Sequence, residues 1–162
     1  MFYVIMGVSG TGKSTIGKLL SHRTGWQFID ADDYHPAANL EKMHRGVALS
    51  DRDRLPWLQE LNQLIAQTLE QKQTGILACS ALKSQYRQIL QENNGSQVRF
   101  IYLAGDYDCI QTRIKERQGH FMNPELLRSQ FETLEEPEDA LAIDVCLTPE
   151  QIVATILRDI DN

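Results

Sequence analysis

The sequence predicts an α/β fold, a parallel sheet with helices on both faces. Three observations carry this. Residues 7–14 read Gly-Val-Ser-Gly-Thr-Gly-Lys-Ser, a complete G-x-x-x-x-G-K-S run between a short apolar segment and a segment of helical spacing. Residues 76–79, Ile-Leu-Ala-Cys, form a continuous apolar run of the kind expected for a strand buried on both faces. Strand-like and helix-like segments alternate along the 162 residues, which implies parallel strands joined by helical crossovers.

Each element has its own signal. Phe2-Tyr3-Val4-Ile5-Met6 is rich in strand formers. From Lys13 to Thr24, Ile16, Leu19 and Leu20 recur at helical spacing. Gln27 to Ile29 is a second strand, which runs into a polar loop carrying Asp30, Asp32, Asp33 and His35. Pro36 opens a short helix through Met43. Ser50-Asp51-Arg52-Asp53 has the form of a capping box with Asp in place of Glu or Gln. It starts a long helix with Leu58, Leu61, Leu64, Ile65 and Leu69 on one face, and Pro56 limits how regular its start can be.

Gly75 breaks to the strand at 76–79, followed by Ser80-Ala81-Leu82-Lys83 and a helix from Ser84 to Asn93. Val98 to Leu103 is the fourth strand, and Asp106 caps a helix reaching about Arg117. Residues 118–122 connect. Asn123-Pro124-Glu125 supplies a cap, an N1 proline and an acidic first turn for another helix. Ala142 to Cys146 is the fifth strand, and Thr148-Pro149-Glu150-Gln151 is a capping box for a last helix with Ile152, Ile156 and Leu157 inward.

Size and composition narrow the function. The chain is short enough for one domain, and its 42% apolar and 23% charged residues are ordinary for a soluble globular protein. A net charge of −6 without a basic block argues against nucleic acid as a partner. No apolar stretch reaches membrane length, and no basic segment leads into an apolar signal region, so a cytoplasmic chain without a membrane partner is expected. Cys79, Cys109 and Cys146 are odd in number and far apart, and read as buried small hydrophobes rather than a disulfide or a metal site. The four histidines lack zinc-ligand spacing.

Ligands on parallel sheets bind at the carboxyl ends of the strands. The glycine loop, the Asp30–His35 loop, Ser80–Lys83 and Asp106 all fall there. The loop of Gly7, Val8, Ser9, Gly10, Thr11, Gly12, Lys13, Ser14 and Thr15 surrounds phosphates with backbone N–H groups. Lys13 reaches the β- and γ-phosphates, Ser14 suits Mg²⁺, and the helix N-terminus adds its dipole. Asp30 and Asp32, two residues apart, suit two tasks: holding Mg²⁺, and taking the proton of an acceptor hydroxyl.

Arg54, Lys83 and Arg87 follow cleft-forming elements. Lys83 and Arg87, at i and i+4, can hold a substrate carboxylate or form a solvated helix face. Arg113 and Arg117 can clamp ATP and the transferring phosphoryl, or likewise face solvent. His120 and Phe121 can contact substrate or anchor a lid; His35 is structural or touches substrate. No Asn-Lys-x-Asp run for guanine is present.

Along nearly its whole length the chain resembles the gluconokinase family of small P-loop kinases, related to shikimate kinase and the nucleoside monophosphate kinases. The carrying runs are Met6 to Ser14, Asp30-Ala31-Asp32-Asp33-Tyr34-His35-Pro36, Asn39-Leu40-Glu41-Lys42-Met43, Asp53-Arg54-Leu55-Pro56-Trp57-Leu58 and Cys79-Ser80-Ala81-Leu82-Lys83. Tyr86-Arg87, Gly119-His120-Phe121 and Gln130-Phe131-Glu132-Thr133-Leu134-Glu135-Glu136-Pro137 complete them. The phosphate loop is widely shared; the His-Pro-x-x-Asn-x-x-Lys-Met and Gln-Phe-Glu-Thr-Leu-Glu runs are narrower. Ala37-Ala38 departs from relatives that carry basic residues there.

The resemblance implies a five-stranded sheet in the order 2-3-1-4-5 and a single domain over 1–162, with a lid at about 117–137. It implies ATP-dependent phosphorylation of D-gluconate to 6-phospho-D-gluconate, with Mg²⁺, and a homodimer. Asp32 then faces the acceptor hydroxyl, leaving Asp30 with Ser14 for the metal. Arg54 lies near the substrate acid, with His35, Lys83, Arg87 and His120 as further substrate contacts. Lys13 and Arg117 assist transfer, and Arg113 holds nucleotide.

Overall fold

In a computed structural model that describes residues 1–116 and 124–162, five parallel strands form one sheet. They are β1 (Phe2–Met6), β2 (Gln27–Asp30), β3 (Gly75–Ala78), β4 (Val98–Ala104) and β5 (Leu141–Asp144). Their order is β2-β3-β1-β4-β5, as expected. The register sets Val4 beside Leu77 and Phe100, so β1 lies at the sheet's centre and is buried throughout.

Side chains of β1 alternate between the faces. Phe2, Val4 and Met6 pack with Trp57, Leu58, Leu61 and Ile65 of α3 (Asp51–Glu70) and with Tyr86 and Leu90 of α4 (Ser84–Leu90). Tyr3 and Ile5 share the other face with Ile16 and Leu20 of α1 (Lys13–Thr24), Ile110 of α5 (Tyr107–Glu116), Leu127 of α6 (Pro124–Thr133) and Ile152 and Ile156 of α7 (Pro149–Ile160). Each fully buried aliphatic of this kind contributes about 1.5–3 kcal/mol.

The capping boxes at Ser50 and Thr148 form with both reciprocal bonds. Asp106 Oδ1 accepts from Cys109 N at 2.8 Å at the start of α5. α3 begins at Asp51 and runs through Pro56, whose missing N–H leaves only the carbonyl of exposed Arg52 to solvent. The acidic loop is not irregular: residues 31–34 form a 3₁₀ turn capped by Asp30, and α2 (Ala37–His44) follows.

Three expectations shift. α4 ends at Leu90 rather than Asn93, because Asn93 takes a left-handed φ of 65° in an Asn-Asn-Gly turn. β5 ends at Asp144, whose Oδ1 accepts from Cys146 N and turns the chain out of the sheet. The cysteine reading is corrected: Cys79 is buried, but half-buried Cys109 and exposed Cys146 form a disulfide. Parallel crossovers bring the start of α5 beside the turn after β5, a proximity that sequence spacing does not carry.

Arg117, His120 and Phe121 lie outside the described residues, as does the first part of the expected lid; its described part is α6 and residues 134–137. Among the described residues no helix is long and apolar enough to cross a membrane.

Candidate active site

The phosphate loop joins β1 to α1 at the carboxyl edge of the sheet. Its shape depends on glycine. Gly12 caps α1 with φ 90°, a left-handed conformation that side chains disfavour. Gly10 has φ +85°, and a Cβ there would stand 2.6 Å from the Ile114 side chain on α5. The helix carrying Arg113, which is half-buried, therefore packs directly on the loop.

Inside the loop, the Thr11 hydroxyl and Lys13 Nζ both donate to the Val8 carbonyl at 3.0 Å. Burial pulls the Lys13 ammonium down to about 8, although Cys79, Asp32 and Asp30 favour its charge. The Cys79 thiol beneath it is pushed up to about 12 by burial and is inert. Thr15 begins the exposed side of α1.

Two aspartates close the other side. Ser14 Oγ donates to Asp30 Oδ2 at 2.7 Å, while Asp30 Oδ1 accepts from Asp32 N at 3.0 Å. Asp30 thus ties the phosphate loop to the acidic turn. The Asp32 side chain is 87% exposed, yet desolvation on its inner side, and then the charge of Asp30, raise its pKa. It is a stronger base than an ordinary aspartate. Among the described residues no three His, Cys, Asp or Glu side chains are grouped to hold a metal. Ser14 Oγ and the Asp30 carboxylate are hard oxygens of the kind a divalent cation such as Mg²⁺ takes.

The wall beyond the acidic turn is built on α3. Trp57 Nε1 donates to Ala31 O at 2.8 Å and its ring stacks on His35 at 4.2 Å, which fixes the acidic turn from below. His35 Nε2 lies 3.9 Å from Asp32 Oδ1, and the imidazole is only 6% exposed. Burial lowers its pKa, opposed by Asp32 and reinforced by Arg54, so His35 is neutral near pH 7. Asn39 Nδ2 lies 3.5 Å from His35 Nδ1 and donates to Asp53 O at 3.0 Å, linking α2 to α3.

The three basic candidates are not equivalent. Arg54 Nη1 donates to Leu49 O at 2.7 Å and to Tyr86 Oη at 3.3 Å. Among the described residues these bonds use only Nη1, so Nη2 and Nε keep donor capacity. Lys83 donates to both oxygens of Asp51, at 3.0 and 3.1 Å. The Tyr86 hydroxyl and Lys83 together hold Asp51 down at about 2, so that pair stays ionised.

Arg87 is buried and donates to the carbonyls of Ala81 (2.8 Å), Leu82 (3.2 Å) and Glu135 (2.9 Å). It lines a cavity whose walls include none of Asp32, Arg54 or Lys83. The structure therefore brings Lys13, Ser14, Asp30, Asp32, His35 and Arg54 together and turns Arg87 to the main chain.

Sequence reasoning gave no role to Trp57, Tyr86, Asp51 or Gln130. Gln130 bonds Ser9 of the phosphate loop from α6. All four stand at contacts between elements distant in sequence, and only the family runs that contain Trp57, Tyr86 and Gln130 pointed toward three of them.

Residues 9–161 match the shikimate kinase family. The chain is 46% identical over 147 residues to the thermosensitive gluconokinase of Escherichia coli (strain K12), covering 88% of this chain and 78% of that protein. It is 44% identical over 172 residues to a gluconokinase of Arabidopsis thaliana, covering 98% and 91%. A solved gluconokinase from Sinorhizobium meliloti 1021 superposes with a TM-score of 0.83 at 36% identity, over 98% of this chain and 94% of that one. Identity above 40% held across most of both sequences reaches beyond a common fold, and the chain is a kinase that belongs to the gluconokinases within the shikimate kinase family.

Proposed function

We propose that this kinase transfers the γ-phosphoryl group of ATP, with Mg²⁺, to the terminal hydroxyl of D-gluconate, giving ADP and 6-phospho-D-gluconate. The single observation that carries the reading is the placement of Asp32. Its exposed carboxylate stands 3.9 Å from His35 and feels the charges of Asp30 and Lys13, while His35 feels both Asp32 and Arg54. A base for a hydroxyl and a cation for a remote carboxylate thus flank one space, as a sugar acid requires.

The loop amides and Lys13 hold the triphosphate. Ser14 and Asp30 would hold Mg²⁺, which when bound neutralises charge on the phosphates. Asp32 takes the proton as the hydroxyl oxygen bonds to the γ-phosphorus and the bond to ADP breaks. Arg54 binds the carboxylate through its remaining donors, and Lys83 contributes while shared with Asp51. Fixing that far charge orients the reacting end and disfavours neutral sugars. Arg113, with Arg117 outside the described residues, belongs to the nucleotide and transfer side of the same reading, and His120, also outside them, to the substrate side.

ADP release measured with gluconate, shikimate, glucose, a nucleoside monophosphate or no acceptor tests this. Gluconate alone should give stoichiometric release. Turnover of shikimate or a nucleotide in its place would overturn the substrate assignment.

A further inference from the structure

One peptide plane of the phosphate loop is held from both sides. The Val8 carbonyl and the Ser9 N–H belong to the same rigid unit. The carbonyl accepts from Thr11 Oγ1 and Lys13 Nζ, both at 3.0 Å. On the opposite side, Ser9 N donates to Gln130 Oε1 at 2.6 Å, and Gln130 Nε2 donates to Ser9 Oγ at 2.8 Å. The amide of Gln130 thus meets Ser9 with its acceptor and its donor at once, across 121 residues of sequence.

α6 is placed to hold that grip. Leu127 is buried in the core, and Phe131 packs on Tyr107 of α5 with ring centroids 6.0 Å apart. Just past the helix, Glu135 N donates to Leu82 O at 2.8 Å, and Glu135 Oε1 accepts from Ser84 N at 2.8 Å. The helix is therefore a strut between the phosphate loop and the connection from β3 to α4.

Lys13 Nζ has three N–H donors with one spent on the Val8 carbonyl, and it must share or give up that bond as it turns to phosphate. The carbonyl side of the plane is then left chiefly to the Thr11 hydroxyl, and Gln130 holds the N–H side. We infer that Gln130 is a positioning residue for phosphoryl transfer: it keeps the Val8–Ser9 peptide plane in place while Lys13 moves to the nucleotide. The inference rests on the loop being the ATP site, and holds whichever acid is phosphorylated.

The test is a double-mutant cycle on the full chain. Its primary readout is equilibrium binding of a non-hydrolysable ATP analogue without acceptor, with steady-state kinetics beside it. Gln130→Met keeps the length and removes both bonds. It should weaken analogue binding and lower kcat/KM for ATP roughly tenfold or more, with KM for the acceptor within about twofold of wild type. Ser9→Ala removes only the hydroxyl bond and should cost about threefold. The double variant should be no worse than Gln130→Met alone.

A residue that merely anchors α6 would lower Tm and leave these ATP parameters unchanged below the transition, which would overturn the inference. Independent, multiplying effects in the double variant would also overturn it. Should Gln130→Met fail to fold, Gln130→Glu decides. It can accept from both the Ser9 N–H and hydroxyl, so it should fold, but its charge beside the loop should weaken analogue binding several-fold, less so at high salt. Wild-type analogue binding by Gln130→Glu would refute the proposed position.

Discussion

Raising the pH should disarm the phosphate loop before it harms any other part of the site. Burial sets the Lys13 ammonium at about 8 in the ligand-free protein. About nine-tenths of it is charged at pH 7 and about one-tenth at pH 9. The free enzyme's groups govern kcat/KM, so kcat/KM for ATP should fall about tenfold between pH 7 and pH 9, and about tenfold per unit beyond. Bound triphosphate places negative charge beside Nζ and raises its pKa in the complex. At saturating ATP, kcat should therefore stay nearly level over the same range. Initial rates from pH 6 to 10, with ATP varied at saturating acceptor, separate the two. Lys13→Arg, charged throughout, should be slow but lack the limb near 8. A kcat/KM that is level to pH 10, or a kcat that falls in step with it, would refute the reasoning. The same burial has a stability sign. Between about 8 and 10.5 the unfolded chain binds the extra proton, so the ligand-free fold gains stability as pH rises through that window. Below it the full cost, on the order of 3 kcal/mol, is present. Lys13→Met should accordingly raise Tm at pH 7 while lowering turnover by about 10²–10³.

Asp32→Asn should lower kcat by about 10²–10⁴ with ATP affinity nearly intact, and should remove an acid limb that lies above the ordinary aspartate range; surviving turnover with collapsed ATP binding would make Asp32 a metal or nucleotide residue. Arg54→Ala should raise KM for gluconate about ten- to a hundredfold, the worth of one charge-assisted bond, with little change in KM for ATP. Lys83→Ala should cost less, because Asp51 already engages that ammonium. Selectivity for gluconate over glucose surviving both changes would place the carboxylate elsewhere.

The parts legible in sequence were those written in local chemistry. Glycine spacing marked the phosphate loop, Ser50 and Thr148 marked helix starts through their own backbone bonds, and the apolar run at 76–79 marked a central strand. The Asp30–Asp32 pair was legible because both carboxylates fall at the carboxyl end of a strand. What stayed hidden depends on which distant groups meet. Arg87 sits at helical spacing from Lys83, yet its guanidinium turns inward, because the carbonyls of Ala81, Leu82 and Glu135 converge there from two segments. Cys109 and Cys146 carry no local sign of their neighbour. Gln130, polar and within a helix, reads as a solvated position until α6 is laid against the loop.

The ring stack beneath the acidic turn would give the enzyme an optical gauge of the proposed acceptor site. The chain has two tryptophans. Trp57 lies face to face with His35 and one hydrogen bond from the main chain that presents Asp32. Trp26 stacks on Tyr3 at the amino ends of the strands, with its ring centroid 5.3 Å away. Indole emission responds to the charge of a stacked imidazole and to small changes in ring distance. An acid entering between Asp32 and Arg54 should thus modulate Trp57, while Trp26, at the other end of the sheet, serves as an internal standard. Occupancy could then be followed by unlabelled fluorescence in single-turnover mixing, with Trp57→Phe silencing the signal and Trp26→Phe preserving it.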